Sequence, residues 1–357
     1  MLRVKFKRLI SVLLIMIVAL SLSACTKEEK KPVEGKLASK LEDKVVVYST
    51  HDDSMLELVA TEFQKETGVK VDYINLKGEL AERVRAEKNN PQSDVMYGGA
   101  SSLFMDLKIE GAFEAFEPTW EKSLDPLFKD SGNYWFGTIK TPVVLCYNKE
   151  MVKAEDLPKD WSDLADKKYE GQLVFRNALS SSARVMYSAL LQQYENKGAL
   201  DKGWAFMKAL DQNTKGYYDS GSLMMQALGR KEASISFSTL NDIIDNKLKN
   251  IIPLEIVDLK SGSPVITDGI AVIKKAPHPE AAKAFVEFAG SAKIQSLLAN
   301  KFNRMPTLPD AIANSPAWMG EVNFKVMDVN WAKLAAKQSE WMQKWDTEIK
   351  GSKKDVK

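Results

Sequence analysis

Residues 44–75 read KVVVYSTHDDSMLELVATEFQKETGVKVDYIN, two short apolar, β-branched runs on either side of a helical pattern. Met55, Val59 and Phe63 recur at four-residue spacing, Ser54 and Glu57 have the spacing of a capping box, and Gly68 supplies a C-terminal stop. Strand, helix and strand with short joins form a βαβ unit, which predicts parallel strands and a right-handed crossover. The next stretch, GELAERVRAEKNNPQSDVMYGGASS at 78–102, repeats the pattern. Leu80 and Val84 share one helical face, Glu79 and Arg83 another, and SDVMYG at 93–98 is the third strand. The Gly-Gly-Ala-Ser-Ser turn therefore sits at the C-terminal end of a parallel strand, the edge where open α/β sheets bind ligands. These segments make the fold class α/β.

The alternation continues along the chain. TIKTPVVLCYN (138–148), GQLVFRN (171–177), ASISFS (233–238) and PVITDGIAVIK (264–274) read as strands, SSARVMYSALLQQYENKG as a helix, and almost everything from Pro279 onward as helix. Cys146 is read as a buried strand residue, and the stripe Trp331, Leu334, Trp341, Trp345 as core, because aromatics at helical spacing usually face inward. The mature chain exceeds 300 residues, enough for two domains.

The N-terminus carries an export pattern. Arg3, Lys5, Lys7 and Arg8 precede LISVLLIMIVAL, an apolar run shorter than the roughly 20 residues that span a bilayer. Leu22-Ser23-Ala24-Cys25 resembles the bacterial lipoprotein signal, in which the Cys thiol is acylated. Residues 1–24 are thus expected to be a leader, Cys25 a lipidation site, and the polar, charged 25–43 a tether to the outer face of the cell membrane. The whole chain has a net charge of +2, and removing the leader's four cations leaves about −2. That balance excludes a strongly basic nucleic-acid binder. With two cysteines, one of them Cys25, no disulfide framework exists.

Five strand ends share the character of the 98–102 turn. They are Ser49-Thr50-His51, Gly99 to Ser102, Ser180-Ser181-Ser182, Ser220-Gly221-Ser222 and Ser238-Thr239. Each puts hydroxyls and free backbone N–H groups at a helix start, where the helix dipole favours anions, although Ser and Thr also cap helices of any function. Arg176 ends one strand and suits phosphate or carboxylate, or an interface ion pair. Catalytic signals are weak: His51 and His278 fit neither a zinc-protease motif nor a Ser–His–Asp set, and neither nucleotide-binding glycine motif occurs. His51, Asp52 and Asp53 have the residue types of a metal cluster, but plentiful carboxylates more often form a solvated face.

KVVVYSTHDDSMLELVATEFQKETGVKVDYI, GELAERVRAEKNNPQSDVMYGGASSLFMDLKIEGAFEAFEP, TPVVLCYN and DGIAVIKKAPHPEAAKAFVEFAGSAKIQSLLA together resemble the solute-binding lipoproteins of bacterial ABC importers. The nearest branch is similar to ferric-iron-binding proteins, whose relatives carry iron, phosphonates, sugar phosphates or thiamine compounds. The resemblance implies the type II periplasmic-binding-protein fold, two α/β lobes joined by a two-strand hinge: lobe 1 from 44–146 and 266–357, lobe 2 from 147–265, with crossings near 146–148 and 264–268. It implies no enzyme activity and no cofactor, a monomer, and a permease and ATPase as partners. Ligand-facing positions would be Ser49, Thr50, His51, Gly99, Ala100, Ser101, Ser102, Arg176, Asn177, Ser180, Ser181, Ser182, Ser220, Gly221, Ser222, Phe237, Thr239 and Asp268. Phenolate-type ferric carriers have adjacent tyrosines where this chain has Ser238, Thr239 and Leu240. A small phosphate- or phosphonate-bearing solute is therefore expected, with a ferric ion, or a secreted α/β hydrolase, as alternatives.

Overall fold

The opening segment forms β1 (Lys44–Ser49), α1 (Asp53–Thr67) and β2 (Lys70–Asn75), and β1 pairs in parallel with β2 and with β3 (Val95–Ala100), as the βαβ reading requires. The computed structural model describes residues 41–351 and 353–356; the leader, Cys25 and the tether through residue 40 lie outside the described residues. α1 starts earlier than its sequence signal: Asp52 is the N-cap, without a side-chain cap bond, so the box expected from Ser54 and Glu57 falls inside the helix. Gly68, at φ 78°, ends it as expected. α2 (Leu80–Glu87) leads to β3, and α3 (Ser101–Ile109) starts directly at its end.

The chain continues through β4 (Phe136–Asn148), β5 (Leu173–Arg176), α4 (Ser181–Glu195), α5 (Leu200–Asn213), β6 (Thr214–Tyr218), α6 (Gly221–Gly229), β7 (Ile235–Thr239), α7 (Leu240–Lys249), β8 (Leu254–Val257) and β9 (Val265–Ile273). Helices α8 (Pro279–Ala289), α9 (Ala292–Phe302) and α10 (Trp331–Lys344) follow. Strand order is β6-β5-β7-β4-β9-β3-β1-β2, and Asp355–Val356 adds a short parallel edge beside β6.

β4 and β9 make the joint between the lobes. The first half of β4 pairs antiparallel with β9, and the second half pairs with β7 and β8. The handover falls between Pro142 and Val143, where the Val143 N–H donates to Pro264 O at 2.9 Å. This crossing lies upstream of the expected 146–148, because Cys146 already belongs to the second lobe's sheet, paired with Ser236.

Each lobe buries apolar side chains on both faces of its sheet, as parallel strands demand. In the first, Val45, Val47, Phe63, Phe285 and Leu298 fill one face and Met96, Phe104, Leu107 and Trp135 the other. In the second, Phe175, Tyr187, Leu190 and Phe237 lie on one face and Cys146, Met224, Leu228 and Ile243 on the other. Burial pushes the Cys146 thiol up to about 12 and leaves it a packing residue. One expectation needs correction: the C-terminal helical part does not stay with lobe 1. Leu334, Trp341 and Trp345 pack against the core of Trp161, Phe175 and Tyr187, and α10 lies on α4, so the last segment crosses back to the second lobe. Leu334, Trp341 and Trp345 are buried there, as their spacing predicts, whereas Trp331 is only half-buried.

Candidate ligand cleft

The parallel topology gathers helix starts at the C-terminal edge of each lobe's strands. In lobe 1 the edge is built from the β1–α1 turn, the β3–α3 turn and Asp268 of β9. Ser49, fully buried, donates its hydroxyl to Tyr97 O at 2.6 Å and accepts from the His51 N–H at 3.0 Å. Its role is to lock the turn; the expectation that Ser49 faces ligand is not met, because the side chain is fully buried and its proton is spent on Tyr97 O. The turn presents Thr50 and drives the His51 ring edge-on against Tyr97, with centroids 4.6 Å apart.

His51 is buried, and Nε2 has no hydrogen-bond partner among the described residues; burial, with the Arg304 charge adding to it, holds the ring neutral down to about 3. The Tyr97 hydroxyl is buried near Thr138 without a partner at hydrogen-bond geometry, and burial raises its pKa. The Arg304 Nε is unpartnered too, while its Nη2 lies 3.2 Å from Asp52 Oδ2. Asp268 keeps part of its surface open but lies deep in the edge, so burial raises its carboxyl to about 6 against the opposing pull of Arg304. A buried polar group without a partner costs about 1–3 kcal/mol. Three such atoms gather here, with His51 Nε2 and Tyr97 Oη both within reach of the Arg304 charge.

Several expected residues surround this group. Gly99 (φ 95°) leads to Ala100, the N-cap of α3, which makes no side-chain cap bond; Ser101 is buried and Ser102 half-buried in the first turn. The metal reading of His51, Asp52 and Asp53 does not assemble: Asp52 turns to Arg304, and Asp53 accepts from Asn75 Nδ2 at 3.2 Å.

In lobe 2 the centre is Arg176. Its Nε donates to Tyr218 O at 3.2 Å and its Nη2 to Asp219 O at 2.8 Å, and no carboxylate pairs with it among the described residues. The guanidinium lies against the first turn of α6: a Cβ on Gly221 would stand 2.8 Å from Nη1. Asn177, buried, donates to the Asp219 carboxylate, and Ser220 caps α6 by accepting from the Leu223 N–H at 3.3 Å. Ser180 and Ser182 lie with hydroxyls 3.1 Å apart at the start of α4, while Ser181 and Ser222 are exposed. The Thr239 hydroxyl, at the start of α7, is buried without a partner among the described residues. Phe237 is a correction: it is 1 % exposed, stacked on Phe175 at 4.8 Å, and belongs to the core. A cavity of about 550 Å³ opens beside this group between the start of α4 and α10, sharing Asn177 and Asp219 with it.

Among the described residues no hydrogen bond joins the Arg176 group to the His51–Asp268 group, so the structure brings the expected residues together in two sets, one per lobe. Sequence reasoning missed Tyr97 and Arg304. Tyr97 sits inside a strand and reads as core. Arg304 follows α9 in Asn303-Arg304-Met305-Pro306, where the one signal was a lone arginine in a short loop.

Comparison with known proteins agrees with this architecture. Residues 59–325 match the family described as bacterial extracellular solute-binding protein. The chain is 31% identical over 316 residues to a probable ABC transporter periplasmic-binding protein, y4fP, of Sinorhizobium fredii, covering 87% of each. It is 26% identical to iron uptake protein A1 of Synechocystis, covering 84% of this chain and 85% of that one. Among solved structures, the periplasmic binding protein AfuA of Actinobacillus pleuropneumoniae with fructose-6-phosphate bound superposes with a TM-score of 0.66 at 27% identity, over 86% of this chain and 98% of the other.

Proposed function

The chain belongs to the bacterial extracellular solute-binding proteins and is the solute-binding, non-enzymatic component of an ABC importer, and from that premise we propose that its solute is a small anion bearing a phosphate or phosphonate group. One observation carries this: Arg176 is held by two main-chain carbonyls, has no carboxylate partner among the described residues, and rests on the N-terminal turn of α6. An arginine fixed by carbonyls keeps its charge available, and a helix start adds N–H donors and a positive dipole end. The AfuA structure, with fructose-6-phosphate bound, supports the same ligand class. A ferric ion is the second reading, favoured by the likeness to iron uptake protein A1. Against it stand Ser238, Thr239 and Leu240, which supply no phenolate, and an Arg176 that would repel a trivalent cation.

Thermal shift with a panel of phosphonates, organophosphates, ferric citrate and neutral sugars tests the reading. Ligand at 100 times Kd stabilises by about 2.7 kcal/mol, and shifts are expected among phosphorus-bearing compounds. Arg176→Ala removes a charged hydrogen-bonding partner, an effect of roughly 1.5–3 kcal/mol. A shift with ferric ion alone, or one unchanged in the variant, overturns it.

The protein works with a permease and an ATPase, as a monomer held at the outer membrane face by acyl chains on Cys25. The Leu22–Cys25 lipobox supports this anchor, each buried CH₂ adding about 0.8 kcal/mol of membrane affinity. Cys25→Ser is expected to leave a folded protein in the soluble fraction, and membrane retention of that variant refutes the anchor.

A further inference from the structure

Asp268 sits where β9 is irregular on both of its sides. β9 pairs with β3 on one side and with β4 on the other, and both ladders slip at this position: the β3 register breaks between Asp268 and Ile270, and the β4 register between Asp268 and Gly269. Bulges re-aim side chains and gather beside functional sites. Here two coincide, and the Asp268 main chain is steadied by the Thr138 hydroxyl, 3.4 Å from Asp268 O. The carboxylate makes no hydrogen bond to the protein among the described residues. It shares the strand edge with the unpartnered Tyr97 hydroxyl from β3 and His51 Nε2 from the β1–α1 turn, both on residues at least nine-tenths buried. The charged neighbour is Arg304, which already engages Asp52. Arg304, Asp52 and Asp268 together leave this edge one negative charge in excess when Asp268 is ionised.

We propose that Asp268, with Tyr97 and His51, is a specificity-determining pole that accepts hydrogen bonds from a hydroxyl or ammonium group of the solute, at the end away from its anionic group. This rests on the anion reading for Arg176 and deepens it. A carboxylate acceptor discriminates strongly, because a solute without the donor leaves it buried and unsatisfied. It also makes capture proton-linked. His51 stays neutral near pH 6 while Asp268 changes charge there, and a proton on Asp268 competes with the solute's donor.

The test is calorimetric titration of the full chain with three probes: methylphosphonate, which is an anion without a donor; an aminoalkylphosphonate and a polyol phosphate, which carry both; and the matching free amine or polyol. The wild type, Asp268→Asn, Tyr97→Phe and Arg176→Ala are compared. For the two-ended probes Asp268→Asn is expected to lose about tenfold or more in affinity while methylphosphonate binding stays within about twofold, tenfold being 1.4 kcal/mol. Wild-type affinity for those probes, taken relative to methylphosphonate at each pH so that the probes' own second ionisation at about pH 6–7 is set aside, should fall as pH drops from 7 to 5, and this ratio should be flat in Asp268→Asn, a signature that a structural role would not produce. Tyr97→Phe should reproduce part of the loss if Asp268→Asn fails to fold. Equal loss for methylphosphonate and two-ended probes, or an unchanged preference, overturns the acceptor pole while the anion reading stands. Binding of the free amine or polyol that is lost in Asp268→Asn but indifferent to Arg176→Ala upholds the pole and overturns the anion reading.

Discussion

His51 and Asp268 occupy one strand edge and titrate in opposite senses. Burial lowers His51 from an ordinary 6.5 to about 3, so between those values the unfolded chain takes up a proton that the folded chain refuses, and stability falls as pH falls. Burial raises Asp268 from 3.8 to about 6, so in that window the folded chain holds a proton the unfolded chain has released, and stability falls as pH rises. From pH 6 to 4 the two slopes oppose each other. The solute-free His51→Gln variant should therefore lose stability from pH 4 to 6 relative to wild type, and Asp268→Asn should gain it, measured as urea midpoints. Parallel pH profiles for all three proteins would show that neither group is perturbed as its burial demands. At this scale the sequence reading was partial. Hydroxyls at strand ends were visible because Ser, Thr and Gly cluster where an apolar run gives way to a helical pattern, and Arg176 because a charge closes an apolar run. Whether a hydroxyl faces a ligand or a neighbouring strand depends on pairing that no local pattern records, so Ser49 and Phe237 were expected in the cleft, and Tyr97 was not.

Elements were more legible than residues, since periodicity and stop signals report on one segment at a time. The βαβ start, β4, β7 and β9 follow from short β-branched runs bounded by turns. The less visible parts are those whose reason is tertiary. β6 contains Gly216 and two tyrosines and reads as the approach to a turn, yet it is paired on both sides, by β5 and by the chain's own tail. That tail explains why the last residues belong to lobe 2. Tyr217 N–H donates to Lys354 O at 2.7 Å and Asp219 N–H to Val356 O at 3.2 Å. Lys350 sits between Asp346 and Asp355, 2.9 Å from each. The tail thus covers a strand edge that would otherwise invite pairing with another chain. Deleting 351–357 removes these two backbone bonds, at about 1 kcal/mol each, together with the Gly351 N–H bond to Asp211 and the Lys350–Asp355 pair, so a loss of at least about 2 kcal/mol is expected, visible as a lower melting temperature. Concentration-dependent association of the truncated protein should accompany it, and a variant as stable and monodisperse as the full chain would show that the edge needs no cover.

For the whole molecule the decisive fact is that its polar sets sit on different lobes. β4 and β9 cross between lobes at Pro142–Val143 and Pro264–Val265, and the segment after α9 crosses as well, with Asn303 Nδ2 donating to Asp245 Oδ1 at 2.7 Å. Prolines at both strand crossings remove N–H donors from the ladder where it changes partners, leaving few bonds to resist rotation there. A solute that touches Arg176 alone, or Asp268 alone, gains nothing from bringing the lobes together. One that reaches both binds the closed form more tightly, and moving the balance from 1:99 to 99:1 requires a preference of about 10⁴, or roughly 5.5 kcal/mol. Closure should therefore track contact with both poles rather than occupancy. In small-angle scattering, a saturating two-ended solute should shrink the radius of gyration of the wild type. The same solute at saturation should leave Arg176→Ala and Asp268→Asn closer to the solute-free value, although both still bind. Equal contraction in all three proteins would mean that one lobe suffices to drive the hinge, and identical radii with and without solute would mean that capture proceeds without closure.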